Sequence, residues 1–425
     1  MIKRILAVLL AAVLACALPV LPVAAAGGPT LRTTLTDGVQ RGSKKTFDVW
    51  ARNAGGSKIR ATVLHNGERL EPTWEDDEKA SYTLLFGEAG EHLVTVSASS
   101  DGGKRAELTY HIQYQPAAEG EEIGSAVWSV ELFTLGGGYL IEPTEVPIYE
   151  GETAAEQLLR LLSENGLTGY YGGTVKASFY LAYLADGASA SESYNGYRRS
   201  DPPKGEPRRL GVTPAIPALL VPFLEANMTY FDPADSTAER DGYLGEFAFT
   251  NGSGWMYAVN NVFPNVGFAD CYPSDGDVVR VQFTLGYGAD IGGAASVGSN
   301  AGNWFATADK DRLTVALCRA RQSGLPENAT VQAAYAAALE AAKTPDAAQE
   351  TVDAAAGALL AALEHAGTEP PAPDTLPDTL PAPDTDAAGA EPVALGWQVI
   401  VIAAVCLIVL GVAIGVPAAL RRKRK

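Results

Sequence analysis

A strict alternation of apolar and polar residues near position 110 is the pattern that most limits how this chain can fold. Apolar side chains occupy every second position from Leu108 to Tyr114. A period of two places these side chains on one face of a strand and the polar ones on the other face. The same period recurs over 47–49, 59–63 and 94–98. The sequence therefore predicts half-buried strands rather than helices in this part of the chain.

Two dipeptides connect these predicted strands. Asn66-Gly67 and Asp101-Gly102 are pairs that two-residue β-hairpin turns prefer. Short strands with turns at this spacing indicate an all-β sandwich over residues 31–115. The pattern resembles the immunoglobulin-like modules of bacterial surface proteins, and this resemblance implies a spacer or an adhesive module.

After a short acidic linker the periodicity becomes mixed, which indicates an α+β domain. Residues 127–134 and 177–184 alternate like strands. Between them, Thr153 and Glu156 have the spacing of a capping box, which predicts that a helix begins there. Residues 185–245 are rich in Gly, Ser and Pro and show little periodicity, so we expect an insertion or a long loop.

The most informative segment runs from 252 to 281. A glycine-rich entry leads into a predicted strand centred on Met256, and the asparagines at 260–261 turn it. An Asp-Gly-Asp turn at 275–277 then opens a further strand. Together with the earlier helix, these elements predict a β-grasp-like α+β fold over residues 125–290.

The order of these elements resembles the transcobalamin-like C-terminal domain, a family also catalogued as a domain of unknown function in surface proteins of Gram-positive bacteria. The likeness rests on Trp255-Met256-Tyr257, on Phe263-Pro264-Asn265-Val266-Gly267 and on Asp275-Gly276-Asp277. In the animal members this domain closes over vitamin B12 against a large helical barrel, and this chain has no such barrel. The resemblance implies cobalamin or another corrinoid as a bound ligand, and it names no other cofactor.

A corrinoid is a flat macrocycle with amide groups at its rim, so it needs an apolar face and hydrogen-bond partners. For this ligand the resemblance implies a site with an aromatic face and an amide rim. The face consists of Trp255, Tyr257, Phe263 and Phe268, and the rim consists of Asn260 and Asn265, with Asn261 beside them. A structural alternative stays open, because Trp255 and Tyr257 also suit the core of a small sheet and the asparagines suit turns.

Residues 309–366 change to helical spacing, and their alanine-rich stretches predict a bundle of three helices. The second helix is predicted over 329–343 and the third over 349–365. The pattern resembles the FIVAR-type modules of bacterial surface proteins, which implies a stalk or an interaction bundle.

Residues 367–392 repeat Pro-Ala-Pro-Asp-Thr, which is typical of an extended, semi-rigid stalk. The segment 376–379 begins like a sortase signal but lacks the glycine that follows, so retention in the membrane is favoured.

The two ends of the chain predict its location. Residues 1–26 combine two basic residues, an apolar stretch and a small-residue cleavage site, as a signal peptide does. A lipoprotein signal ending at Cys16 is the alternative. Residues 395–420 carry no charge and are long enough to span a bilayer as one helix, and the basic residues 421–425 follow at once. We therefore expect a single-pass protein of the cell membrane, with a cytoplasmic basic tail and an ectodomain outside the cell.

Charge and reactive side chains exclude several functions. Seven of the 32 basic residues lie in the two terminal segments, which leaves 25 basic against 50 acidic residues elsewhere. Nucleic acid is therefore not expected as a partner, since its binders need a basic surface. No spacing matches a metal site, a hydrolase or a phosphate-binding loop, so we expect no metal, no catalytic residue and no enzyme. Cys271 and Cys318 could form one disulfide or remain two thiols.

These inferences predict a non-catalytic cell-surface protein that binds a small ligand, with cobalamin or another corrinoid as the candidate. The alternative is a surface adhesion or structural protein that recognises a cell-surface protein or a glycan. The placement of Trp255 and Tyr257 separates the two. An open groove lined by both side chains favours ligand binding, whereas burial of both in the sheet favours the structural role.

Overall fold

The computed structural model describes most of the chain before position 369. The described residues are 27–100, 102–187, 210, 212, 214–229, 244–297, 302–324 and 328–368, together with the strand residues 23–24 and 192–193. Several predicted segments lie wholly or largely outside them, namely the signal peptide, the region 185–245, the Pro-rich stalk with 376–379, the apolar segment 395–420 and the basic tail 421–425. The chain divides into two compact units, residues 1–369 and 370–425, and the described residues all belong to the first. Among the described residues, no helix has both the length and the apolar character needed to cross a membrane.

The first part of the described chain folds into two five-stranded β-sheets. Their strands are β1 (Val23–Ala24), β2 (Thr30–Thr33), β3 (Gly38–Gln40), β4 (Lys44–Arg52), β5 (Thr62–His65), β6 (Glu68–Leu70), β7 (Trp74–Glu75), β8 (Ala80–Leu85), β9 (Gly90–Ser99) and β10 (Arg105–Tyr114). One sheet has the order β1-β2-β4-β8-β7 and the other has the order β3-β10-β9-β5-β6. One apolar core receives side chains from both sheets, among them Phe47, Val49, Val96 and Ile112. The predicted sandwich is therefore present, and Asn66-Gly67 forms the turn between β5 and β6.

The middle of the described chain forms two four-stranded sheets and two helices. The elements are β11 (Glu122–Glu131), β12 (Tyr139–Tyr149), α1 (Ala154–Glu164), β13 (Leu167–Thr174), β14 (Ala177–Asp186), β15 (Glu192–Ser193), α2 (Val221–Asn227), β16 (Leu244–Gly245), β17 (Gly254–Val259) and β18 (Val278–Thr284). The sheets have the orders β12-β11-β18-β17 and β15-β13-β14-β16. In the first sheet the central strands β11 and β18 run parallel, and the outer pairs are antiparallel. This is an α+β arrangement with two sheets, and the β-grasp-like fold stays a prediction.

Helix α1 begins where the capping box predicts. The backbone N–H of Glu156 donates to the hydroxyl of Thr153 at 3.3 Å, and the N–H of Thr153 donates to the carboxylate of Glu156 at 2.8 Å. These bonds satisfy two donors that a helix start leaves without helical partners.

The strand predicted over 127–134 lies earlier in the chain than expected. It is β11, which ends at Glu131, and a short 3-10 helix follows at Phe133–Leu135.

Three helices follow, as the sequence predicts: α3 (Asp311–Gln322), α4 (Ala329–Lys343) and α5 (Gln349–Thr368). Their common core contains Leu313, Leu317, Val352 and Leu359. Helix α3 also packs on β11, β12 and β18. At its C-terminal end Arg321 donates to the carbonyl oxygens of Glu142 and Pro143 in β12. The bundle therefore covers one face of the β12-β11-β18-β17 sheet.

The two faces of this sheet differ in chemistry, because alternate residues of a strand point to opposite sides. One face presents Trp128, Val130, Val281 and Phe283 to a core that also contains the leucines of α1. The opposite face presents Ser129, Glu131, Arg280 and Gln282 to the helical bundle. The alternation in β18 is typical of a strand with one solvent-exposed face, yet every residue of β18 is buried. The helices cover its polar side chains.

Candidate functional site

The predicted aromatic face lies inside the middle domain. The side chains of Trp255 and Tyr257 are 9% and 7% exposed, and both belong to the apolar core. The indole N–H of Trp255 donates to the carbonyl oxygen of Leu244 at 2.9 Å. The hydroxyl of Tyr257 donates to the carbonyl oxygen of Val266 at 2.8 Å. Phe268 stacks on Tyr257 with 3.9 Å between ring centroids. Burial raises the pKa of Tyr257 well above its ordinary value. Both side chains are therefore buried, whereas the predicted ligand site requires them to line an open groove.

The predicted amide rim is used by a turn. Asn260 and Asn261 have φ angles of 50° and 58°, a left-handed conformation that asparagine tolerates better than most residues. The side-chain oxygen of Asn260 accepts from the N–H of Val278 at 3.0 Å, and its amide donates to Asp277 at 2.8 Å. This side chain therefore connects the turn after β17 to the start of β18.

The loop after this turn contacts the β-sandwich. The ammonium group of Lys79 donates to the carbonyl oxygen of Phe263 at 2.6 Å. The amide of Asn265 donates to the carboxylate of Asp76 at 2.8 Å. Lys79 is only 5% exposed and forms an ion pair of 2.8 Å with the buried carboxylate of Asp48. Two of the six predicted ligand residues thus take part in a contact between the sandwich and the middle domain.

The same contact extends along β4 toward the end of the loop. Lys44 donates to the hydroxyl of Tyr272 at 3.0 Å, and Lys45 donates to the hydroxyl of Ser274 at 2.9 Å. On its other side the N–H of Ser43 donates to the carboxylate of Glu150 at 3.1 Å. We call residues 263–274 the docking loop. The docking loop interface is the surface that this loop forms with the sandwich residues that it touches.

A second group of functional side chains lies on the polar face of the β12-β11-β18-β17 sheet. The guanidinium of Arg280 donates twice to the carboxylate of Glu131, at 2.9 Å and 2.8 Å. These side chains are 5% and 2% exposed. Burial opposes the charge of Arg280, but the carboxylate of Glu131 raises the pKa of Arg280 above its ordinary value. Buried charges are expensive unless they are paired in this way.

Lys310 enters the same region from the residue before α3. Its side chain is 6% exposed, and its ammonium group donates to the carbonyl oxygens of Ala342 and Thr344 at 2.7 Å and 2.8 Å. Burial, followed by the nearby charge of Arg280, lowers the pKa of Lys310 to about 7. Burial also raises the pKa of Asp290, which accepts from the hydroxyl of Thr284 and the N–H of Leu285. Perturbed groups of this kind mark candidate functional sites.

Between these side chains is a polar cavity of about 30 Å³, which has room for about two water molecules. Its lining includes Glu131, Arg280, Gln282, Asp290 and Lys310, with Asn261 and Thr307 at its exposed edge. Motifs and spacing in the sequence do not predict this site. Its only signal is the pair of polar residues at 280 and 282 between apolar ones in β18, and such a pair is ordinarily a solvent-facing edge.

The two cysteines of the described chain are free thiols, so the disulfide alternative is wrong. Both are buried, and burial raises the pKa of Cys271 to about 12 and that of Cys318 to about 11. A thiol with a raised pKa is a poor nucleophile at neutral pH. In the part of the chain that the structure describes, His, Cys, Asp and Glu form no group of three or more that suits a metal ion.

A family model described as a domain of unknown function, DUF4430, matches residues 241–285. This stretch contains β17, the docking loop and β18, where the sequence resemblance lies. No curated protein matches the chain.

Several solved structures are similar to parts of the chain, among them the following three. The fibronectin(III)-like modules of Clostridium thermocellum CbhA are 21% identical over 21% of this chain and 48% of their own, with a TM-score of 0.18. The N-terminal Ig1-2 module of the Drosophila receptor protein tyrosine phosphatase DLAR is 12% identical over 28% of this chain and 67% of its own, with a TM-score of 0.21. A beta-glucuronidase of Bacteroides uniformis is 15% identical over 25% of this chain and 13% of its own, with a TM-score of 0.17. The chain thus spans about half the length of the CbhA structure, and at these TM-scores the likenesses assign no function.

Proposed function

We propose that this chain is a non-catalytic surface protein with a structural and adhesive role, in which the middle domain holds the β-sandwich and the helical bundle in a fixed arrangement. Recognition of a cell-surface protein or a glycan then falls to the exposed surfaces of those two modules. The observation that carries this proposal is the docking loop interface, where Phe263 and Asn265 are engaged by Lys79 and Asp76.

The chemistry of that interface supports a fixed arrangement. Lys79 and Asp48 are both less than 10% exposed, so their pair lies in a medium that strengthens electrostatic interactions. Moving the sandwich away would break the bond from Lys79 to Phe263 and leave the ammonium group with fewer partners. A mobile linker between domains would need none of these contacts.

The proposed location follows from the segments outside the described residues. We place the folded part outside the cell, anchored by residues 395–420 with the basic residues 421–425 inside. Protease treatment of intact cells tests this placement: the folded part is expected to be accessible, and protection of the whole chain would contradict it.

The rigidity is measured by spin labels at two exposed positions of the full-length chain. Val39→Cys labels the sandwich and Ala336→Cys labels α4, in a chain whose Cys16 and Cys406 are replaced by Ser. The other native thiols, Cys271 and Cys318, are buried. We expect a narrow distribution of label distances that broadens when Lys79→Met removes the interface pair. A broad distribution before that change would contradict a fixed arrangement.

Corrinoid capture is a second candidate, favoured by the resemblance over 252–281. It would have to use Phe263 and the turn asparagines, because Trp255, Tyr257 and Phe268 are in the core. Titration of the full-length chain with cobalamin and with a precursor corrinoid, followed by absorbance and calorimetry, tests it. A saturable one-to-one response that weakens in Phe263→Ala would favour this candidate over a purely structural middle domain. Silence at high micromolar ligand would remove it.

A further inference from the structure

The polar cavity beneath the helical bundle has an imbalance between hydrogen-bond donors and acceptors. Its carboxylate acceptors already have partners within the protein. Glu131 accepts from Arg280 and from the hydroxyl of Ser129, and Asp290 accepts from Thr284 and Leu285. Its donors do not all have partners. This imbalance determines what kind of ligand the cavity can accept.

The clearest of these donors is the side-chain amide of Gln282. Its oxygen accepts from Arg280 at 3.3 Å, and this bond orients the NH₂ group away from the guanidinium. Gln282 is 6% exposed, and its amide nitrogen has no hydrogen-bond partner among the described residues. An unpaired buried donor costs about 1–3 kcal/mol, so such groups are normally satisfied by protein, water or a ligand.

Lys310 supplies a second donor to the lining of the cavity. Its ammonium group has three N–H bonds, and the carbonyl oxygens of Ala342 and Thr344 account for two of them. The charge of Arg280 is balanced by Glu131, whereas Lys310 forms no ion pair among the described residues. Asp290 lines the cavity too, but both of its oxygens accept from the chain segment 284–285.

We propose that this cavity is a binding site for a small monovalent anion of the size of chloride or formate, held between the amide of Gln282 and the ammonium group of Lys310. The volume of about 30 Å³ is enough for one such ion. Asn261 and Thr307 at the exposed edge give the ion a route from solvent. This site is independent of the proposed adhesive role, since it lies on the other face of the sheet from the aromatic core.

The binding should depend on pH because of the charge on Lys310. Glu131, Arg280, Asp290, Asp311 and Asp346 are the charged or titratable groups near it. Protonated Lys310 attracts an anion and neutral Lys310 does not, so affinity should fall as pH rises through about 7. An anion in the cavity would in turn favour the protonated form.

The test uses the full-length chain in sodium gluconate, whose anion is much bulkier than chloride or formate. The gluconate is replaced by sodium chloride or sodium formate at constant ionic strength. We expect a saturable rise of about 2 °C in the midpoint of thermal unfolding near pH 6, and a smaller rise near pH 8.5. The matched variant Gln282→Met keeps the volume of the side chain and removes the donor, so the rise should disappear.

A direct measurement does not depend on unfolding. Chloride in exchange with a protein site has a broadened NMR signal, and formate should narrow it again by competition. If Gln282→Met does not fold, Ala308→Leu, which fills the cavity, provides the second variant. Two results would overturn the proposal: an unfolding midpoint in gluconate equal to that in chloride or formate, or a rise that is unchanged in the folded variants. Ordered water would then be the occupant of the cavity.

Discussion

The two faces of the central strands β11 and β18 are both buried but are held by different forces. The apolar face packs Trp128 and Phe283 against the leucines of α1, and its stability comes from removing apolar area from water. The polar face encloses the ion pair of Arg280 and Glu131 under the helical bundle, and that pair must offset a large desolvation cost. Burial by itself therefore says little about how a residue contributes. The apolar face provides stability, and the polar face requires that each charge has a partner.

The largest effect is expected on the apolar face. Trp128→Ala removes a side chain that is fully buried, and we expect a loss of about 4 kcal/mol in the free energy of unfolding. Denaturant unfolding followed by circular dichroism measures it. Val39→Ala is the control, because Val39 is 61% exposed and should change stability by less than about 0.5 kcal/mol. Similar losses in both variants would show that the apolar face is not a stabilising core.

The polar face should respond to single and double changes in opposite ways. Arg280→Met leaves the carboxylate of Glu131 buried without its cation, and we expect a loss of about 3 kcal/mol. Adding Glu131→Leu removes the orphaned charge, so the double variant should recover most of that loss. The same unfolding measurement decides. A double variant as unstable as Arg280→Met would mean that the pair itself stabilises the fold.

A third comparison sets the docking loop interface against the surface of the sandwich. Lys79→Met leaves Asp48 without its cation and the carbonyl oxygen of Phe263 without its donor, so we expect a loss of about 2 kcal/mol. Arg105→Met breaks an exposed pair whose side chains are 56% and 46% exposed, and should cost less than about 0.5 kcal/mol. Equal effects would place the Lys79 pair among ordinary surface pairs.

Local sequence patterns predicted the individual helices and strands better than they predicted which elements pack against each other. The capping box at Thr153 and the helical spacing after 309 predict α1 and the three-helix bundle, because such signals depend on residues close in sequence. The strand β12 was not predicted, since Pro143 and Pro147 interrupt its pattern. It is an edge strand of its sheet, where proline is tolerated.

The candidate site was harder to predict because it depends on contacts between distant residues. The sequence places Trp255 and Tyr257 correctly on one strand, but it does not show which face of the strand is covered. Glu131 and Arg280 are 149 residues apart, and α3 covers them from a third region of the chain. Composition and periodicity describe each segment alone, so a polar face covered by another module has the same pattern as one that faces solvent.

The smallest expected effect is a pH dependence that only the polar face should show. The pKa of Lys310 is lowered to about 7 in the folded chain, while the same amine keeps its proton up to about 10.5 in the unfolded chain. The unfolded state therefore binds more protons between these values, and stability should rise with pH above about 7. One proton limits the rise to about 1.4 kcal/mol per pH unit. Unfolding curves of the wild type and of Lys310→Met are measured between about pH 7 and about pH 8, where the rise stays below about 1.4 kcal/mol, and the stability difference between the two proteins is followed. This difference in the free energy of unfolding should change with pH. If it is the same at every pH, Lys310 does not lose its proton in the folded chain.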